Sequence, residues 1–370
     1  MRSPGQSARR RFPDCIKRPS ESRPVVSPFC PHREVVAGAL NRLGLPTTAD
    51  PYDNEFCLAR ELEYEPMVFA ACDSLIFPWI EDAERSGKDT IVSVLPTAKG
   101  TWMKRIHRAG GQLGGSDSRF PVSGEAEFDF FIHACEEVGE KENDIRRAFR
   151  TLRKKIGDNA VILINHPHVT WLGLQAGQQD LIFLYHDFPE KFRKAMDALA
   201  SAAEFVFSIA LEEEIDFMSE ASYGMEMISV QYAEELDSPF LKRFSKWTHE
   251  RDGMFWYHNC GASRKMIKDG FVNRFRPDVV ETIAPPPEGD NDLVESRKYL
   301  DRSICSKGNM SLVLLREGTA AEVREATRRM VESVRGCAHI YSTADTVLQG
   351  TPPENLITFL RTARELLERY

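Results

Sequence analysis

"AVILINH", residues 160–166, sets the architecture. Five consecutive aliphatic residues admit no amphipathic face, so the run suits a strand covered on both sides, as in a parallel sheet with helices outside. The polar Asn165 and His166 then mark its C-terminal end. Similar short β-like runs recur on either side: "RPVVSPF" (23–29), "IVSVLPT" (91–97), "EEIDFMSEAS" (213–222), "MFWYHNC" (254–260), "DVVETIAP" (278–285), "ICSKGNM" (304–310) and "AHIYSTAD" (338–345). The stretch "KGTWMKRIHRAGG" after the second run reads as a hairpin or loop excursion.

Helical periodicity separates these runs. Phe192, Ala195, Met196, Leu199, Ala203, Val206, Phe207 and Ala210 form one apolar stripe. Val323, Ala326, Met330 and Val334 form another, behind a capping box from Thr319 to Glu322. Leu356, Phe359, Leu360, Ala363 and Leu367 follow "GTPPEN", whose prolines suit a helix start. Seven to eight strand–helix units predict an α/β fold, a single (β/α)8 TIM-type barrel over residues 23–370. No GxGxxG follows an early strand, which removes the usual mark of a dinucleotide domain. Residues 1–22, basic and rich in Pro and Ser without an apolar h-region, read as a flexible N-terminal arm.

Composition limits function. The chain has 370 residues and a net charge of −8, which argues against a nucleic-acid coat. No run of about 18 apolar residues predicts a membrane span. Eight cysteines without framework spacing read as reduced thiols, and a cytoplasmic location is expected.

In a barrel the chemistry lies at the C-terminal ends of the strands. Candidates there are Asn165, His166 and His168; Ser219 and Glu220; His258 and Cys260; Glu281; Asn309; and Asp345. In an extended strand i and i+2 point the same way, so His258 and Cys260 can share one ion, and zinc accepts both donors. The same pair could instead be a packed cysteine beside a hydrogen-bonded histidine. Glu220 and Glu281 could be ligands, general bases or substrate anchors, or simply salt-bridge to neighbouring strands. His166 and His168 flank Pro167 and could bind substrate or cap loops locally. Trp102, Trp171 and Tyr223 could line an apolar pocket.

Several of these segments resemble the uroporphyrinogen decarboxylase superfamily, which includes that decarboxylase and zinc- and corrinoid-dependent methyltransferases. "YHNCG" resembles the H-x-C-G of the methyltransferase branch. "CSKGNMSLVLLREGTAAEVREATRRMVE" and "VLQGTPPENL" resemble later family stretches. The resemblance implies a (β/α)8 barrel. In the decarboxylase branch an arginine-rich segment follows the first strand, but here only Arg33 stands there. The branch's tyrosine and late histidine fall on Gly173 and Asp345, and only Ser219 matches. In the methyltransferase branch His258 and Cys260 match, while the late cysteine ligand falls on Asp345. Cys337 lies eight residues too early to take that place.

The resemblance therefore implies zinc held by His258, Cys260 and Asp345. Position at the strand ends makes Glu220 and Glu281, with the family-matching Ser219, the catalytic candidates, and His166, His168, Asn309 and Tyr223 the candidates for substrate contact. The resemblance also implies a separate corrinoid protein as partner, a methoxy- or thiol-type substrate, and a homodimer. One thiolate and one hard carboxylate make a stronger Lewis acid than two thiolates, which favours oxygen substrates. Decarboxylation of a porphyrinogen or related acid is the alternative, and a non-enzymatic tetrapyrrole carrier a third.

Overall fold

The computed structural model describes residues 7–71, 81–85, 90–97, 100–107, 125–166, 178–222 and 228–369. Its strands are β1 (Met67–Ala71), β2 (Glu81–Arg85), β3 (Thr90–Thr97), β4 (Gly100–His107), β5 (Val161–His166), β6 (Phe217–Ser222), β7 (Phe255–Asn259), β8 (Val279–Thr282), β9 (Cys305–Met310) and β10 (His339–Thr343). Seven of them form one parallel sheet in the order β1-β5-β6-β7-β8-β9-β10. Each neighbouring pair is parallel, as continuous apolar runs joined by helices require.

Two sequence expectations are corrected. "IVSVLPT" is a strand, but β3 pairs antiparallel with β2 and β4 in a separate three-stranded sheet. The parallel strand of that region is β1, whose short "MVFAA" carries little periodicity. "RPVVSPF" is reduced to one bridge, Val26 to Tyr341. The two prolines in that run lack donors and keep it from extending. Even so, Ser27 N donates to Tyr341 O (2.8 Å), Tyr341 N to Val25 O (2.9 Å), and Glu65 N, just ahead of β1, to Val26 O (2.8 Å). One short segment thus bonds beside both edges of the sheet.

Strand parity splits the core in two. Ile162, Ile164, Met218, Phe255, Tyr257 and Val280 pack outward against the helices. Val161, Leu163, Phe217, Trp256, Val279, Cys305 and Ile340 pack inward. The helix Pro189–Glu212 buries its predicted stripe. Thr319 and Glu322 form the expected capping box on Ala320–Ser333. Among the described residues no helix is long and apolar enough to cross a membrane.

Residues Ala8–Lys17, expected to belong to a flexible arm, form a helix instead. Phe12, Cys15 and Ile16 join the inward core at the N-terminal ends of the strands. Phe12 meets Phe217 and Trp256 with ring centroids 6.2 and 6.3 Å apart. The basic composition that suggested disorder serves ion pairs: Arg9 reaches Asp216 at 2.7 Å, and Arg11 pairs with the buried Glu65. Glu65 also takes Arg364 from the C-terminal helix Pro353–Leu367 and the amide of Val26.

Candidate functional site

Register brings the chemistry together. Across β7, β8 and β9, His258 lies opposite Glu281, and Glu281 opposite Lys307. All three share the parity of Trp256, Val279 and Cys305, so they project inward. Their side chains connect in a row. His258 Nδ1 lies 2.9 Å from Glu281 Oε1, and Lys307 Nζ donates to Glu281 Oε2 at 3.0 Å. A carboxylate only accepts, so Nδ1 carries the proton. Phe29 covers the row, stacked on His258 at 5.6 Å and beneath Lys307 Nζ at 4.3 Å.

The other imidazole nitrogen faces the strand ends. Nε2 lies 3.9 Å from Asp345 Oδ2. Asp345 Oδ1 is already taken by the amide of Thr346, and Thr343 Oγ1 donates to the Asp345 carbonyl at 2.7 Å, which fixes the turn after β10. The Cys260 thiol donates to the Ser222 carbonyl at 3.4 Å and lies near enough to the same ring to raise its pKa. Burial disfavours a charged imidazole, but Cys260, the bond to Glu281 and the Glu281 charge outweigh it. They hold the His258 pKa well above its ordinary value. Burial likewise pushes Glu281 up, but the Lys307 charge and the His258 bond prevail and keep its pKa below the usual range.

These donors suit zinc in type: one imidazole, one sulfur and one carboxylate. Two ligands about 2.0–2.1 Å from a common ion stand about 3.4 Å apart at the tetrahedral angle and at most about 4.1 Å. The 3.9 Å between Nε2 and Oδ2 exceeds the tetrahedral separation and comes only under the limit for ligands on opposite sides of the ion. Were a metal bound at Nε2, Glu281 would be the outer carboxylate that orients the ring. Among the described residues no three such side chains form a group that could hold a metal ion, so Cys260 and Asp345 would have to move toward the ring to close a site.

The remaining candidates separate. Ser219 points inward and donates to Asn165 Oδ1 at 2.7 Å. Glu220, one residue on, has the parity of Met218 and faces the helices, away from His258. Its neighbours there are Asp237 and Tyr257. Asn309, one residue before the end of β9, donates to the Ile283 carbonyl at 3.2 Å. The backbone of His166 ends β5; its side chain, with those of Trp102 and all of His168, Trp171, Gly173 and Tyr223, lies outside the described residues.

Burial raises Glu220 well above the carboxylate range and Asp237 to about 7. An unfolded Asp releases its proton near pH 4. From about pH 4 to about 7 the folded chain therefore keeps a proton that the unfolded chain has lost, and stability falls as pH rises. Asp237→Asn removes this cost. Its melting temperature should exceed wild type by about 4 °C at pH 8, with the gap closing toward pH 5. Thermal scans at the two pH values check it, and a pH-independent difference contradicts it.

Lys307 and Phe29 were not among the residues singled out along the chain. A lysine inside a strand expected to be buried on both faces was the available signal for the first. Phe29 carried none, because its place over His258 depends on the bridge at Val26.

The uroporphyrinogen decarboxylase (URO-D) family profile matches residues 173–366, more than half of the chain. The chain belongs to the uroporphyrinogen decarboxylase family. The matched span carries β6 through β10, and with them the His258–Glu281–Lys307 row and Asp345. Among solved structures, a methyltransferase from Methanosarcina mazei is similar, with a TM-score of 0.64, 14% identity, and coverage of 98% of this chain and 99% of that one. A B12-independent methionine synthase from Shewanella sp. W3-18-1, in complex with selenomethionine, has a TM-score of 0.47 at 9% identity, covering 88% of this chain and 90% of that one. No curated protein matches the chain. At these identities the first likeness speaks for the shared fold.

Proposed function

We propose that this uroporphyrinogen decarboxylase family member is a zinc-dependent methyltransferase. It would move a methyl group between a methoxy- or thiol-type substrate and the corrinoid of a separate protein docked over the strand ends. In this reading the Val25–Ser27 bridge is the reduced first strand of an eight-stranded barrel. The observation that carries the proposal is the state of His258: Nδ1 is held by Glu281, while Nε2 faces Asp345 with Cys260 on the same ring.

His258, Cys260 and Asp345 would hold the metal. Bound zinc supplies a Lewis acid that polarises a substrate oxygen or activates a thiol. The chain's own groups do the rest. Glu281 orients the ring, Phe29 keeps water from its face, and Cys260 and His258 give up their protons when the ion binds, so metal affinity rises with pH. Decarboxylation would instead call for cations free to hold substrate carboxylates. Lys307, the inward cation of this row, is 1% exposed and committed to Glu281, which favours methyl transfer.

Metal analysis of the purified protein tests the reading. Wild type should carry about one zinc per chain, with clear losses in Cys260→Ala and Asp345→Ala. Unchanged zinc in both variants removes the site.

A further inference from the structure

We infer that Lys307 is a positioning residue: by pinning the second oxygen of Glu281 it fixes the carboxylate that aims His258 Nε2 at the strand ends. The inference rests on the zinc reading for its function, but not for its geometry.

Glu281 is fully buried, and its two oxygens are divided. Oε1 takes the His258 ring and Oε2 takes Lys307. A carboxylate held at one oxygen can still turn about its bond to the side chain. Held at both, its plane is set, and so is the plane of the imidazole it accepts from. Lys307 is in turn confined. Its ammonium sits over the Phe29 face at 4.3 Å and 5.9 Å from the Trp256 ring, both favourable cation–π partners. These aromatic walls leave Glu281 as its anionic contact, and 1% exposure keeps it from reaching substrate directly. It therefore acts through Glu281. The three strands supply one residue each at matching register, so the row is rigid along the backbone as well as through side chains.

Metal affinity and ring orientation are measured separately. Zinc competition against a chromophoric chelator should show about 10–100-fold weaker binding in Lys307→Met, the range for loss of an outer partner of a metal ligand. Lys307→Arg should recover part of it. In a Glu281→Gln background, Lys307→Met should add little, because the lysine acts through that carboxylate. In metal-free protein, 15N-edited NMR of the His258 ring should show a protected Nδ1–H in wild type and in Lys307→Arg that exchanges rapidly in Lys307→Met. Loss of that signal in a chain that binds no zinc upholds the positioning role and overturns the zinc reading alone. An unchanged Nδ1–H in Lys307→Met overturns the inference, as does an effect equally large in the Glu281→Gln background.

Discussion

Deleting residues 1–18 should leave a chain without a cooperative melting transition. The helix Ala8–Lys17 does not decorate the sheet; it closes the N-terminal end of its interior. Phe12 is fully buried against Phe217 and Trp256, and Cys15 and Ile16 stand beside it. Truncating a buried Phe alone costs about 3–5 kcal/mol, and a buried Ile about 2–5. Loss of Arg11 also strips one of two arginines from Glu65, which is fully buried. Removing one member of a buried ion network costs about 3–5 kcal/mol more. Together these are comparable to the about 5–15 kcal/mol by which a domain is usually stable. Phe12→Ala is the milder form and should lower stability by about 3–5 kcal/mol with the fold retained. Near-ultraviolet circular dichroism and denaturant titration read both. A truncated chain melting within a few degrees of wild type would show that the floor stands without its plug.

His258→Ala should abolish methyl transfer while leaving the fold intact. The ring touches Glu281, Cys260 and Phe29 and faces Asp345, so its loss removes the group on which the proposed site converges. Turnover should fall on the order of a thousandfold, the scale for removing a group whose interaction is realised in the transition state. Bound zinc should fall with it. Stability should also fall, by about 3–5 kcal/mol as at Glu65, but Glu281 keeps Lys307 as its counter-charge at 3.0 Å and the fold should be retained. Activity then separates His258 from Phe12: both variants should be destabilised but folded, and His258→Ala is the one that should lose turnover. Methyl transfer to cobalamin, followed by its absorbance, and calorimetry of the same sample give the two readouts. A variant within about tenfold of wild-type turnover would remove His258 from the chemistry.

Much of this site was legible along the chain. The H-x-C spacing placed His258 and Cys260 at a strand end, and the alternation of strands and helices placed Glu281 and Asp345 at the same end of the sheet. Parity was harder. Ser219 and Glu220 are adjacent, so they must face opposite ways, and only the packing of Phe217 inward and Met218 outward shows which. Glu220 accordingly sits beside Asp237, behind the sheet.

The sequence by itself determined much of what is local: most of the runs that form the parallel strands, the apolar stripes of the long helices, and that a histidine and a cysteine stand together at one strand end. These follow from side-chain periodicity and capping, which act over a few residues. The tertiary structure alone decided what depends on register between distant strands. It set Lys307 beside Glu281, laid Phe29 over His258, and drew a basic N-terminal stretch under the sheet as a helix. Each of these contacts joins segments far apart along the chain, and a shift of one residue in any strand would turn its side chains to the opposite face.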